Sequence, residues 1–168
     1  MALPRPELSE FVHCHGSQSL NQADCMMIIK TWANSWTTSG RYHDANPITC
    51  ILGCDQKDCM SHYIRCNPFW GKNYCGTGGL CTDLVKPPAE KLCFLNANWI
   101  DLKRLCIAFK CYHVLKRGNP LCIQRAQQSG NYECVHEKLR DLVRYYAIEH
   151  RLHATRLCNT PQLSASNA

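Results

Sequence analysis

The chain has 168 residues, of which 45% are hydrophobic and 14 are cysteines, and its formal net charge is +6 at pH 7. This length allows one domain, or a small metal module together with a helical one. No run approaches the roughly 20 apolar residues of a membrane span, and no secretory signal is visible at the amino terminus. We therefore expect an intracellular protein of a reducing compartment, without a membrane segment, rather than a secreted disulfide scaffold.

Residues 1–20 contain Pro4, Pro6 and Gly16, which predicts a flexible lead-in. The following residues, 21–36, carry apolar side chains at helical spacing and predict a short amphipathic helix with a buried tryptophan. The inward positions of this helix are predicted to be Met26, Ile29, Trp32 and Ala33.

Residues 50–66 have the spacing C-x3-C-x7-H-x3-C, with Cys50, Cys54, His62 and Cys66 at the four defined positions. Three thiolates and one imidazole are the ligand set of a closed, structural Cys3His zinc site, because zinc prefers such ligands to carboxylates. Gly53 suits the turn that must bring the first two sulfurs together. Asp58 is predicted to cap a short helix that presents His62 and Cys66 on one face.

An alternative is that residues 50–66 are simply cysteine-rich and contain a histidine by chance. Cys59 lies inside the same loop and is interpreted as a bystander. We predict one Zn²⁺ ion because the spacing is close to that of known zinc sites.

Residues 73–91 are rich in glycine and proline and predict a linker that follows a unit of helix plus knuckle over residues 21–72. Two helices are predicted next, over residues 92–117 and 131–157, forming a helical hairpin within residues 92–158. Residues 159–168 predict a disordered tail. The predicted fold is mainly α, with a small Cys-Cys-His-Cys zinc knuckle packed against the helical hairpin and little or no sheet.

Several motifs occur in a recognisable order: a tryptophan pair, Trp32 and Trp36, then the knuckle, then the helical segment at residues 107–116. In this order they resemble the region that follows the polymerase in reverse-transcriptase-like proteins of non-LTR retrotransposons. The likeness covers roughly residues 26–117. It places Cys50, Cys54, His62 and Cys66 in the zinc-ligand roles.

The resemblance implies a carboxy-terminal module that binds template RNA or target DNA, with a reverse transcriptase or another retroelement protein as a possible partner and the nucleus as a possible location. Basic side chains of such a module would contact phosphates, and aromatic side chains would stack on unpaired bases. The candidate nucleic-acid contacts are Arg41, Lys57, Tyr63, Arg65, Trp70 and Lys72.

No two aspartates are adjacent, so the paired metal-binding aspartates of a polymerase are absent and we expect no catalysis. A nuclease site around Asp101 and Lys103, or a cysteine hydrolase using Cys59 with His62, has only thin support. Two other interpretations stay open. The chain could be a zinc-stabilised protein-interaction module without affinity for nucleic acid, or a retroelement-derived fragment without selected function.

Overall fold

The computed structural model describes residues 20–42, 48–70, 88–94 and 99–150. Within these ranges the chain is helical and forms no strand, and Thr49 and Lys57 make one isolated antiparallel bridge. This confirms the predicted mainly α fold. None of the described helices is both long enough and apolar enough to cross a membrane.

Eight helices lie in the described residues. In chain order they are α1 (Gln22–Trp32), α2 (Ser39–Tyr42), α3 (Met60–Tyr63), α4 (Asn67–Trp70), α5 (Pro88–Lys91), α6 (Trp99–Gly118), α7 (Pro120–Ser129) and α8 (Glu133–Glu149).

Helix α1 begins after Asn21, whose side chain accepts a hydrogen bond from the amide of Asp24 at 2.8 Å. Its buried face differs from the predicted one: Met27 and Ile28 are in the core, whereas Met26 and Ile29 are exposed. The prediction was wrong because both sets of residues are apolar, so spacing alone did not fix which side of α1 would contact α6.

The buried member of the tryptophan pair is Trp36, which lies beyond the end of α1. Trp32, the predicted one, is only half-buried, and its indole N–H donates to the carbonyl of Leu92 at 2.8 Å. Both members of the tryptophan pair therefore tie the amino-terminal part of the chain to the rest of the core.

The predicted hairpin contains one more helix than expected. Helix α6 starts at Trp99 rather than at residue 92, and α7 occupies the interval between the two predicted helices. Pro120 both ends α6 and begins α7, since proline is favoured in the first turn of a helix. Gly130, at φ 71°, then ends α7.

Helix α8 lies within the second predicted helix, and its apolar residues Val135, Leu139 and Val143 are buried. Helix α6 packs against both α1 and α8, and α7 packs against α6 and α8. The knuckle and the helices share one hydrophobic core, in which the ring of Trp36 contacts Tyr63 of α3 and Tyr112 of α6.

Several predictions fall outside the described residues. These are the flexible lead-in over residues 1–19, most of the linker together with Lys72, and the tail over residues 159–168. The last part of the predicted linker is described and forms helix α5.

Candidate metal centre

The first half of the centre is a tight turn at residues 50–54. The amide of Cys50 donates to the carbonyl of Gln56 at 2.7 Å, and the amide of Gly53 donates to the carbonyl of Cys50 at 3.1 Å. Gly53 has φ 79°, a conformation that L side chains rarely adopt, so glycine is needed at this position. The turn brings Cys50 and Cys54 together, as the sequence predicted.

The second half is formed by α3 and the residues that follow it. His62 lies in α3, and Cys66 lies between α3 and α4. The cap of α3 is Cys59, without a side-chain hydrogen bond, so the predicted capping role of Asp58 was wrong. The carboxylate of Asp58 is instead used for bonds to residues distant in sequence.

The four side chains converge on one point. The ligand atoms of Cys50, Cys54, His62 and Cys66 all lie within 4.8 Å of one another. The Sγ atom of Cys66 lies 3.8 Å from each of the other two sulfurs, and the Nε2 atom of His62 lies 3.0 Å from Cys54 Sγ. This Cys3His group could hold a metal ion, and it is the one such group in the ranges described above.

The three thiols of this group differ in pKa. The contact with Cys66 lowers the pKa of Cys50 to about 5, while burial raises the pKa of Cys54 to about 11. The same contact, seen from Cys66, raises the pKa of the Cys66 thiol far above its ordinary range. Metal binding would displace the remaining protons, because cysteine ligates as a thiolate.

Asp58 is the polar centre behind the turn. Its Oδ1 atom accepts hydrogen bonds from the hydroxyls of Tyr63 at 2.8 Å and Tyr112 at 3.1 Å. Its Oδ2 atom accepts one from the amide of Ser39 at 2.7 Å and pairs with Lys116 Nζ at 2.6 Å. A single carboxylate thus joins α2, α3 and α6 to the centre. The sequence signal was an aspartate in the loop, which did not reveal these long-range partners.

The start of α8 packs against the turn from another side. The Nε2 atom of His136 lies 2.9 Å from the carbonyl oxygen of Leu52, and the ring of Tyr132 lies directly against Gly53. A Cβ atom at Gly53 would overlap that ring. The start of α8 therefore supports the shape of the turn at residues 50–54, called the metal turn below.

An open cleft of about 640 Å³ lies beside the centre. The half-exposed ligands Cys54 and His62 form part of its wall, and the exposed side chains of Lys57 and Arg65 form another part. None of the described residues that line the cleft is acidic, and neither Lys57 nor Arg65 has an ion-pair partner among the described residues.

Two of the predicted nucleic-acid contacts need correction. Tyr63 is 0% exposed and Trp70 is 3% exposed, so neither ring has a face open to a base. Their polar atoms are also used internally, since the Trp70 indole N–H donates to the carbonyl of Tyr63 at 2.6 Å. Both rings belong to the core that supports the knuckle.

The aromatic residue missed by the sequence analysis is Tyr42, which is 58% exposed. The guanidinium carbon of Arg41 lies 5.5 Å from the centre of its ring. Helix α2, which carries both residues, is fixed to the knuckle because the amide of Gly40 donates to the carbonyl of Asp58 at 3.0 Å. The sequence signal that could have identified Tyr42 was its position next to an arginine before the knuckle.

The residues of the thinly supported enzyme sites have other partners. The Sγ atom of Cys59 lies 3.1 Å from the hydroxyl of Ser61, whereas His62 points its Nε2 atom at Cys54. Asp101 pairs with Arg104 at 3.0 Å.

Comparisons with protein-family models, curated proteins and solved structures gave no match to this chain. The resemblance to the post-polymerase region of retrotransposon proteins therefore stays a prediction. The chemistry of this chain has to be argued from its own residues.

Proposed function

We propose that this chain is a non-catalytic module of a retroelement-type protein, in which a structural zinc ion holds residues 50–66 in a form that binds the phosphate backbone of RNA or DNA. The observation that carries the proposal is the basic cleft beside the Cys3His group. The order of motifs around the knuckle supports it.

The argument for zinc rests on the ligand set and its spacing. A tetrahedral zinc ion with Zn–S bonds of about 2.3 Å separates two sulfurs by about 3.8 Å. This is the separation between Cys66 Sγ and the sulfurs of Cys50 and Cys54. Calcium and magnesium require oxygen ligands, which this group lacks. Four protein ligands leave no position for a reactive water, so the ion would be structural.

The argument for a phosphate ligand rests on charge and access. Lys57 and Arg65 are exposed at one cleft, and no acidic residue among those described at the cleft neutralises them. Phosphate oxygens are the usual ligands of such side chains, with arginine offering a bidentate contact. Tyr42 and Arg41 would extend this surface with an aromatic face on which an unpaired base could stack.

The zinc part of the proposal is tested by metal analysis of protein purified under reducing conditions. Wild type is expected to carry about one zinc per chain, and Cys54→Ser and His62→Ala are expected to lose it. Cys59→Ser is the matched control, since it removes a thiol that lies in the same loop but does not belong to the Cys3His group. Zinc that survives both ligand substitutions would refute the assignment.

The nucleic-acid part is tested by titrating zinc-loaded protein into fluorescent single-stranded RNA and DNA at several salt concentrations. Each lost phosphate contact should reduce the slope of log K against log salt by about 0.7. The double variant Lys57→Ala, Arg65→Ala should therefore have a shallower slope by about 1.4. The control is Lys138→Ala, Arg125→Ala, which removes the same charges from exposed positions on α8 and α7.

An equal reduction of the salt slope in both double variants would mean that only net charge matters, and the assignment of phosphate contacts to the cleft would be wrong. Zinc-loaded protein that shows no salt-sensitive binding to either oligonucleotide would instead favour the protein-interaction module.

A further inference from the structure

Two cysteines outside the metal centre touch each other at the surface. Cys122 lies in the first turn of α7 and Cys134 in the first turn of α8, and their Sγ atoms are 2.8 Å apart. Cys134 is exposed and Cys122 is half-buried. The helices that carry them are joined by the short segment 130–132, so the pair spans a local hairpin.

Neither thiol belongs to the Cys3His group, although the half-buried side chain of Cys122 packs against the edge of the hydrophobic core. The buried cysteines Cys106 and Cys111 fill space inside the helical core, whereas Cys134 is solvent-exposed. Cysteine is usually a buried residue, so a contact between an exposed and a half-buried thiol is unusual. Within the described residues the pair joins no group of three or more potential metal ligands.

The surroundings of Cys122 act on its thiol in opposite directions. The hydrogen bond with Cys134 and burial raise the pKa of Cys122, and the positive charges of Lys138 and Arg125 lower it by less, so the pKa of Cys122 lies above its ordinary value. The geometry of the pair, a contact of 2.8 Å between a half-buried and an exposed thiol, therefore carries the inference.

We propose that Cys122 and Cys134 form a thiol–disulfide exchange site that takes small disulfides of the glutathione class as oxidant. Closing a disulfide requires the two sulfurs to approach from 2.8 Å to about 2.05 Å, which side-chain rotation can supply.

The exchange proceeds in two displacements. The thiolate of exposed Cys134 attacks one sulfur of the small disulfide, forms a mixed disulfide and releases one small thiolate. Cys122, as a thiolate, then attacks the Cys134 sulfur, forms the intramolecular disulfide and releases the second small thiolate. Two protein thiols are oxidised, one small disulfide is reduced, and the two protons pass from the cysteines to the released thiolates.

The position of the cross-link gives it a structural consequence. Cys134 lies between Tyr132 and His136, the two residues with which this part of the chain contacts the metal turn. A disulfide would fix the start of α8 to α7 and hold those contacts in place.

The test is a redox titration of the full chain with glutathione and glutathione disulfide, followed by alkylation and non-reducing peptide mapping by mass spectrometry. We expect a cross-linked pair of peptides that contain Cys122 and Cys134, two hydrogens lighter than the two reduced peptides together. The pair should form at a fraction of glutathione disulfide roughly tenfold lower than the fraction at which Cys59 is modified. Cys59 is the internal comparison because it is half-exposed but faces a hydroxyl.

Two variants define the order of steps. Cys122→Ser should trap Cys134 as the glutathione mixed disulfide, since no second thiol remains to displace glutathione, and Cys134→Ser should abolish the cross-link. The proposal is overturned if both cysteines of wild type stay reduced while Cys59 reacts, or if they end as separate glutathione adducts. It is equally overturned if Cys50, Cys54 or Cys66 is oxidised first.

Discussion

At the scale of single residues, Asp58 shows how the centre is built. Its side chain is 0% exposed, and a carboxylate in that position must be compensated by hydrogen bonds and charge. Burial raises the pKa of Tyr63 and of Tyr112 well above the ordinary range, so both hydroxyls keep the protons that they donate to Asp58. Lys116, with 21% of its side chain exposed, supplies the opposite charge.

We expect Asp58→Asn to lower the free energy of unfolding of the metal-loaded protein by about 3 kcal/mol, measured by urea denaturation. An amide cannot replace the charge opposite Lys116, and its NH₂ group would face other donors. Asp141→Asn is the control because that carboxylate is 68% exposed and pairs with Arg144 at 3.6 Å, so its loss should cost less than about 1 kcal/mol. Equal effects in the two variants would contradict the central role of Asp58.

His113 is a second residue whose environment has a measurable consequence. Burial lowers the pKa of its imidazole from 6.5 to about 4. The Nδ1 atom lies 3.1 Å from the hydroxyl of Thr37, and the ring centre lies 4.1 Å from that of Phe109. Folding therefore favours the neutral ring.

Between pH 6.5 and about 4 the unfolded state binds a proton at His113 that the folded state does not, so stability should fall as pH falls through this window. Above pH 6.5 the ring is neutral in both the folded and the unfolded state, so it contributes nothing to the dependence of stability on pH. His113→Gln should flatten the decline relative to wild type in urea denaturation at several pH values. Because the metal ligands protonate in both proteins, the difference between the two curves isolates His113, and parallel curves would contradict the assignment.

At the scale of elements, the contact between the metal turn and the start of α8 depends on a glycine. Gly53 has both a positive φ and no room for a Cβ beside Tyr132. Gly130 has a similar φ of 71°, but a Cβ at that position would meet nothing within 4 Å. A comparison of substitutions at the two glycines therefore separates the cost of a positive φ from the cost of steric overlap.

We expect Gly130→Ala to lower the free energy of unfolding by about 1 kcal/mol, the cost of a positive φ. Gly53→Ala should cost at least about 1 kcal/mol more, because the tyrosine ring must also move. In a Tyr132→Ala background this excess should disappear. Urea denaturation of the metal-loaded variants measures all three values, and an excess that persists without the ring would show that the overlap is not its cause.

At the scale of the whole molecule, the knuckle is part of the core rather than a separate unit. Trp36 packs on Tyr63 of the knuckle and on Tyr112 of α6, and Asp58 bonds to α6 directly. A metal ion that orders residues 50–66 would therefore stabilise the helices as well, since its binding free energy becomes folding free energy.

Removal of the bound metal with a chelator under reducing conditions should lower the melting temperature of the helical circular dichroism signal by about 10 °C or more. Cys54→Ser should melt like the chelated protein, and Cys59→Ser like the metal-loaded one. A helical signal that melts at the same temperature with and without metal would show that the helices fold independently of the knuckle.

Much of this architecture could be predicted from local pattern. The spacing of Cys50, Cys54, His62 and Cys66 identified the group that converges, and the periodicity of α8 identified its buried face. The register of α1 and the additional helix α7 could not be predicted. In α1 two apolar faces compete, and α7 is short and begins with a proline, which also signals a break.

The sequence by itself determined the helical class and the four side chains of the centre. The four residues of the Cys3His group are close together in the chain, so their spacing and one turn at a glycine are enough to bring them together. Only the tertiary structure decided what surrounds that group. Asp58 and Tyr63 are interior because Ser39, Tyr112 and Lys116 come to Asp58 from distant parts of the chain and the ring of Tyr112 also packs on Tyr63. The same packing brings Cys122 and Cys134 together, since their separation depends on how α7 meets α8.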